Sequence, residues 1–293
     1  MILPRRRMRL GWLAEQRLDW PGILDMTEQV ERLGFDSVWL SDHLADERGG
    51  WLLDSWTTLG ALLARVPRLE AGTLVASNSL RSPLLTAHMA RTLADIAPGR
   101  FVLGLGAGGS REEHVAAGVT FEGIAWRVAA LRDACELIRR TTAASSPWPD
   151  APLAGRPPIP LLLGGGGNAI LRLAGSFADR WAIWGTPEEL AAKGAAVSEA
   201  AREAGRDPTA VRRGAIVMIL PDHLSKRAGQ DHWPAELHGD ERAVSRQLAR
   251  YADAGVEDLI VCDYGVHPGC RLAALTWLAS VMFQTHTSAG AEV

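Results

Sequence analysis

Three short stretches carry residue types that could do chemistry. Ser41-Asp42-His43 closes an apolar run. An imidazole is the side chain best suited to exchange a proton near neutral pH, and a carboxylate beside it can orient or hydrogen-bond a ligand. A lone histidine at a strand end is also a common structural residue. Gly104-Leu105-Gly106-Ala107-Gly108-Gly109 matches G-x-G-x-x-G between a strand and a helix, the phosphate-binding pattern of dinucleotide folds. That pattern sits on the fourth predicted strand, with no acidic strand end about twenty residues on. Close approach of bare backbone to a ligand, and plain turn geometry, are the other readings. Gly164-Gly165-Gly166-Gly167-Asn168 precedes the helical stretch Ala169–Phe177. Amides at a helix start, unobstructed by Cβ atoms, make an anion pocket, so a phosphate is the expected ligand. No Gly-Lys-Ser/Thr follows, which excludes a Walker A loop. A structural turn is the alternative.

Other chemistries find little support. The remaining histidines (His88, His114, His223, His232, His238, His267, His286) form no H-E-x-x-H cluster, and Glu112-Glu113-His114 reads as a solvated first helical turn. No metal is expected. Cys135, Cys262 and Cys270 have no metal-ligand spacing and read as reduced thiols of a cytoplasmic protein. There is no serine-nucleophile elbow. Eleven tryptophans against five phenylalanines is unusual. Trp12, Trp51, Trp56 and Trp184 lie near predicted strand ends and could wall a flat ligand, although aromatic rings mostly fill cores. Trp184, just before Gly185-Thr186-Pro187, is the best candidate for a pocket.

The elements that must position these groups are legible as alternating types. Strands are expected at Met8–Trp12, Ser37–Ser41, Glu70–Ser77, Arg100–Leu105, Ile159–Leu163, Arg180–Gly185, Arg213–Leu220 and Asp258–Asp263. Most are apolar without alternation, as in parallel strands covered on both faces. Helices start at Pro21, Ser82-Pro83, Thr186-Pro187-Glu188-Glu189, Asp240 and Arg271, and several stop at glycine. Eight such strands with intervening helices predict one (β/α)8 barrel over residues 1–293. Ala143–Pro158, after strand four, and Pro221–Leu237, after strand seven, are expected as irregular insertions. In a barrel the polar or glycine-rich strand ends share one rim: Asp42-His43, Ser77-Asn78, Ala107-Gly108, Gly164–Gly167, Asp222-His223 and Asp263-Tyr264.

Charge narrows the partners. The 293 residues carry a formal net charge of −3, which argues against a nucleic-acid or anionic-membrane binder. Only Lys193 and Lys226 among the basic residues are lysines. MILPRRRMRLGWL has no apolar h-region, so no secretory leader is expected. Apolar runs such as Ala215 to Leu220 are too short to cross a bilayer. The expected partner is a small-molecule substrate.

In combination the motifs resemble the luciferase-like monooxygenase superfamily, and within it the branch that uses the deazaflavin coenzyme F420. The resemblance runs from about Arg9 to Phe283. It rests on Leu33-Gly34-Phe35-Asp36-Ser37-Val38-Trp39 with Ser41-Asp42-His43, on Leu53-Asp54-Ser55-Trp56-Thr57, and on Pro98-Gly99-Arg100-Phe101-Val102-Leu103-Gly104-Leu105-Gly106-Ala107-Gly108. The glycine run and Tyr251-Ala252-Asp253-Ala254-Gly255-Val256 complete it. It implies a (β/α)8 barrel with the deazaflavin across the C-terminal rim, Asp42 holding the coenzyme, and His43 as proton donor or acceptor. It further implies a non-prolyl cis peptide at Leu74–Val75, ring and side-chain contacts from Ser77, Ala107 and Gly108, and a phosphate segment of Gly166, Gly167, Ala169 and Ile170. Relatives of this kind are often homodimers.

This chain departs from the sugar-phosphate dehydrogenases of that branch. Gly109 replaces a glutamate, and Asp46-Glu47 replaces a tryptophan. Trp184 and Pro187 stand where a threonine and a lysine hold the substrate phosphate. A sugar phosphate is therefore not the expected substrate. Glu112 replaces a coenzyme-contacting amide residue, and Arg180 replaces a glycine, so Arg180 is expected near the phosphate or at the surface. Trp12, Trp51 and Trp184, with residues 46–51 and the strand-seven insertion, are expected to shape the substrate pocket. The resulting expectation is an F420-dependent oxidoreductase that moves a hydride to or from a small organic substrate. The alternatives are an FMN-dependent monooxygenase on the same barrel and a non-catalytic barrel that binds a ligand or partner.

Overall fold

Runs of apolar residues bounded by glycine, proline and acidic caps give the alternation of strand and helix. The computed structural model describes residues 7–45, 50–142, 158–224, 233 and 235–288. Its strands are β1 (Arg9–Leu13), β2 (Ser37–Leu40), β3 (Glu70–Thr73), β4 (Ala76–Ser77) and β5 (Phe101–Gly106). They continue with β6 (Leu161–Gly164), β7 (Arg180–Trp184), β8 (Arg212–Pro221), β9 (Glu236–Gly239) and β10 (Asp258–Cys262). The helices are α1 (Trp20–Arg32), α2 (Ser55–Arg65), α3 (Pro83–Ile96), α4 (Arg111–Ala116) and α5 (Ile124–Thr142). The remainder are α6 (Asn168–Phe177), α7 (Pro187–Glu203), α8 (Glu241–Asp253) and α9 (Arg271–Ser288).

The strand order β10-β1-β2-β3-β5-β6-β7-β8 is closed by a further β8–β10 pairing, all parallel. β4 resumes the path of β3 after Leu74 and Val75 and pairs with β5. The result is a closed eight-stranded parallel barrel wrapped by helices, as expected. Leu13, Trp39, Val102, Leu162, Ala182, Ile216, Met218, Ile260 and Cys262 fill its interior. Residues of opposite parity, such as Leu10, Trp12, Val38, Leu103, Val217 and Val261, form the layer beneath the helices. Both faces are thus apolar, which is why the strands show no period of two in sequence.

Local capping fixes where helices begin. Asp19 accepts from the Gly22 amide ahead of α1, Thr186 and Glu189 form a reciprocal capping box on α7, and Asp240 accepts from the Ala243 amide ahead of α8. Each satisfies an amide that the first turn leaves without an intrahelical partner. Ser82 occupies the N-cap position of α3, but its hydroxyl makes no cap bond.

Two expectations need correction. Pro221–Leu237 is not irregular throughout, because Glu236–Gly239 forms β9 and pairs with Met218–Pro221. β8 is ten residues long and outruns both barrel neighbours, whose pairings end at Ile216 and Met218. The edge left at the rim is what β9 covers. Most of that insertion, most of Ala143–Pro158, and Asp46-Glu47 lie outside the described residues.

The second correction concerns Arg180. It opens β7 at the N-terminal end of the barrel, away from the glycine run, and is buried. Its guanidinium donates to both Glu70 carboxylate oxygens at 2.8 and 3.1 Å. Arg9 also pairs with Glu70, while Asp258 lies within 4.0 Å of Arg9, Arg180 and Arg212. Strand starts from five parts of the chain thereby close the barrel floor with a charged plug.

Candidate active site

The candidate site is built from the ends of successive strands. β2 delivers Ser41, Asp42 and His43. His43 is exposed, and its Nδ1 lies 3.1 Å from Glu113 Oε2 on α4. Glu113 Oε1 also accepts from the Leu44 amide at 2.7 Å. A carboxylate only accepts, so this pairing suits a proton on Nδ1 and leaves Nε2 as the atom that can take or give one. Glu112, the neighbour expected to touch a coenzyme, is exposed and accepts from Ser110 Oγ at 3.3 Å. Glu113, one residue further along the same turn, is the one that reaches His43.

Asp42 is buried and fully engaged. Oδ1 accepts from Ser55 Oγ at 2.8 Å and from Arg81 at 3.0 Å. Oδ2 accepts from the Ser77 amide at 3.0 Å and from Arg81. Arg81 also lies over the Trp56 ring. Asp42 thus ties β2, β4 and the start of α2 together, and fixes the chain from which His43 projects. Gln16 adds a second tie, since its Oε1 accepts from the Ser41 amide and hydroxyl at 2.8 and 2.6 Å.

Between β3 and β4 the Leu74–Val75 peptide is cis, at the position the resemblance implies. Three glycines make room for this bulge. A Cβ at Gly106 would sit 2.6 Å from Val75 Cγ2, and one at Gly164 2.8 Å from Val75 Cγ1. At Gly104 a Cβ would collide with the Thr73 carbonyl. The G-x-G pattern on β5 therefore serves close approach of a neighbouring strand, not a dinucleotide turn. Gly108 has φ 84°, and a Cβ there would strike Ser79 Oγ. Its loop is pinned by Arg127 on the Gly108 carbonyl, and by buried His114, whose Nε2 lies 2.7 Å from Ser79 Oγ. Ser77, Ala107 and Gly108 are half-buried at this rim.

The glycine run ends β6. Gly167 is the N-cap of α6 and supplies no side-chain cap, so first-turn amides are not covered by a cap side chain. Ile170 is buried against Gly165, Ala169 is half-buried, and Gly167 has open space above it. A chain of contacts therefore links the parts: His43 to Glu113, Asp42 to Ser77, Ser79 to Gly108, and Val75 to both Gly106 and Gly164.

The tryptophans separate. Trp184 is half-buried at the mouth, stacked on Trp233 with centroids 6.0 Å apart and planes at 27°. Both pack on the interior cluster together with Val75 and Tyr264. Trp233 belongs to the insertion and was not singled out from sequence. Trp12 is fully buried on the helix-facing side, where it fills core and does not wall the mouth. Trp51 is 81% exposed. A cavity of about 420 Å³ is lined by Trp233 with Thr186, Glu188, His238 and Arg250. Among the described residues no cluster of three or more metal-ligating side chains occurs, and no helix is long and apolar enough to cross a membrane.

One buried acid stands just past β10. Asp263 is fully buried, and neither carboxylate oxygen has a hydrogen-bond partner among the described residues. Burial pushes its carboxyl up to about 6, against the opposing pull of the Arg271 charge. A folded-state value above the unfolded one makes the ionised carboxylate a cost that grows as pH rises toward and through 6. Asp263→Asn should therefore stabilise the fold, by on the order of 1 kcal/mol more at pH 8 than at pH 5. Urea melts at the two pH values measure this, and an equal effect at both would contradict it.

Barrel, bulge and glycine run together define a class. The chain belongs to the luciferase-like monooxygenase family, whose model matches residues 8–259. Among its relatives, an F420-dependent glucose-6-phosphate dehydrogenase of Microbacterium testaceum is 30% identical over 88% of this chain and 92% of that one. A Kineococcus radiotolerans protein of the same name is 35% identical over 59% of this chain, but the match spans only 55% of that relative's length. An F420-dependent secondary alcohol dehydrogenase, solved with an F420–acetone adduct, superposes with a TM-score of 0.78. That match has 18% identity and covers 94% of this chain and 99% of that one.

Proposed function

We propose that this chain is a coenzyme F420-dependent oxidoreductase acting on a small organic substrate that is not a sugar phosphate. The observation that carries the reading is the joining, on one rim, of an exposed His43 anchored by Glu113 to a glycine-cleared bulge and an uncapped helix start. These residues fit the coenzyme: Val75, Ser77, Ala107 and Gly108 would hold its ring, and Gly166, Gly167, Ala169 and Ile170 its phosphate. When bound, the deazaflavin supplies a carbon that carries or accepts a hydride.

The chain's own residues do the rest. Glu113 orients His43 so that Nε2 can hold or release the proton that balances hydride transfer. Asp42, held by Arg81 and Ser55, keeps the His43 backbone in place and acts as a positioning residue. Trp184, Trp233 and Tyr264 form an apolar wall that excludes water at the substrate side. Relatives named for glucose-6-phosphate support the coenzyme and not the substrate, because Trp184 and Pro187 replace the polar pair expected there.

The test is anaerobic titration of the purified protein with F420 and with FMN, followed by a panel of alcohols, ketones and enones scored by deazaflavin absorbance. Tight F420 binding with turnover of a neutral substrate is expected. Binding of FMN alone, or turnover of glucose-6-phosphate in preference to neutral substrates, would overturn the reading.

A further inference from the structure

Lys193 is one of two lysines in the chain, and it lies where a cation is electrostatically out of place. It projects from α7 across the glycine run: a Cβ on Gly166 would sit 3.1 Å from its Nζ and 3.5 Å from both Cδ and Cε. Gly166 is thus the residue that lets the lysine stem lie flat on the backbone. The ammonium is thereby held beside the start of α6. A helix N-terminus carries a partial positive charge, so an adjacent cation is repelled unless an anion lies between the two. Among the described residues, no side chain caps that terminus. Two positive features held together point to an anion bound by both.

The lysine is also restrained and partly neutralised. Glu189 Oε1 lies 3.7 Å from Nζ. The other oxygen of the same carboxylate accepts from the Thr186 amide at 3.0 Å, completing the capping box of α7. Glu189 therefore cannot swing away without uncapping its helix. The nearest atoms that a Cβ would meet at Gly164, Gly165 and Gly166 belong to Val75, Ile170 and Lys193, so Lys193 brings a cation onto the run. A fixed carboxylate behind a single ammonium suits a singly charged anion better than a doubly charged one.

We infer that Lys193, set by Gly166 and tethered by Glu189, binds the coenzyme phosphate and reads its charge. The two coenzymes that could occupy the barrel differ at this atom group. F420 carries a phosphodiester with one negative charge, whereas FMN carries a phosphomonoester that is close to doubly charged above pH 7. The pair thus favours the diester. This rests on the F420 reading above and adds to it the group that sets coenzyme choice.

Fluorescence titrations of intact protein with F420 and FMN, at low and moderate salt, test it. Lys193→Met should weaken F420 binding about tenfold, as for loss of a charge-assisted hydrogen bond, and should flatten its salt dependence. Lys193→Arg should retain most of the affinity, with thermal melts confirming that both variants fold. Glu189→Gln keeps a side chain able to cap α7 and should improve FMN binding by a larger factor than F420 binding. An F420 affinity for Lys193→Met within twofold of wild type, or equal gains for both coenzymes in Glu189→Gln, overturns the inference alone. Failure of the wild type to bind F420 overturns the coenzyme reading and this inference together.

Discussion

In a His43→Ala variant, turnover should fall by roughly 10²–10⁴-fold while F420 affinity stays within a few-fold of wild type. The split follows from the geometry. The His43 side chain is 57% exposed, and it is anchored by Glu113, not by a core residue. Its removal takes away a proton carrier without disturbing the bulge, the glycine run or the Asp42 network. Glu113 gives the second half of the test because it does two jobs. Glu113→Gln can still accept from the Leu44 amide, but its amide nitrogen would face His43 Nδ1 as a donor and favour the wrong tautomer. Turnover should drop with coenzyme affinity intact. Glu113→Ala also loses the Leu44 anchor and should weaken coenzyme binding as well. Pre-steady-state rates alongside equilibrium titrations separate these effects. Unchanged turnover in His43→Ala would remove the histidine from the mechanism.

The barrel was legible because its strands and their order are local properties of the sequence. Pro21, Pro83, the Thr186–Glu189 box and Asp240 punctuate the chain with caps whose physical cause is the unsatisfied first turn. Some elements escaped for equally physical reasons. α2 begins at Ser55 behind an Asp54 cap on the Thr57 amide, but its opening Ser55-Trp56-Thr57-Thr58 consists of weak helix formers. β9 is four residues with one buried position. It exists because a long β8 leaves an open edge, and pairing across so many intervening residues leaves no local trace.

At the site, residue type was legible and direction was not. His43 and the glycine run stand at strand ends as the pattern put them, and the Leu74–Val75 bulge lies where the family resemblance implied it. Trp12 was misplaced because a one-residue change in strand parity decides between mouth and helix layer, and an all-apolar strand does not announce its parity. Glu113 and Lys193 drew no attention because each reaches a strand end, at His43 and at Gly166, from a helix surface, where an acidic first turn or an i,i+4 pair looks like ordinary solvation. Arg180 illustrates the same point at the opposite end of a strand. A charge substituted for glycine at a strand start serves the barrel floor, and nothing in its immediate neighbours names Glu70, which lies far away in sequence.

That floor supports the largest stability effect expected here. Glu70→Gln should destabilise the fold by about 3–5 kcal/mol, the range for breaking one side of a buried ion pair. Burial opposes ionisation of Glu70, but hydrogen bonds and charge from Arg180, and then from Arg9, outweigh it and hold the carboxyl below its ordinary range. For Asp258 burial dominates over the same arginines and the shift is upward. Glu70 is therefore the partner that the plug depends on. Without it, Arg9, Arg180 and Arg212 share one reluctant carboxylate. The double variant Glu70→Leu, Arg180→Leu removes one charge of each sign and should recover much of the loss. Because the Glu70 value is lowered on folding, its contribution is full above the unfolded carboxylate range and fades as pH falls below it. Urea melts of wild type and Glu70→Gln should accordingly converge on acidification. A constant gap between them, or a double variant no better than the single, would show that the five-strand plug is not held by this pair.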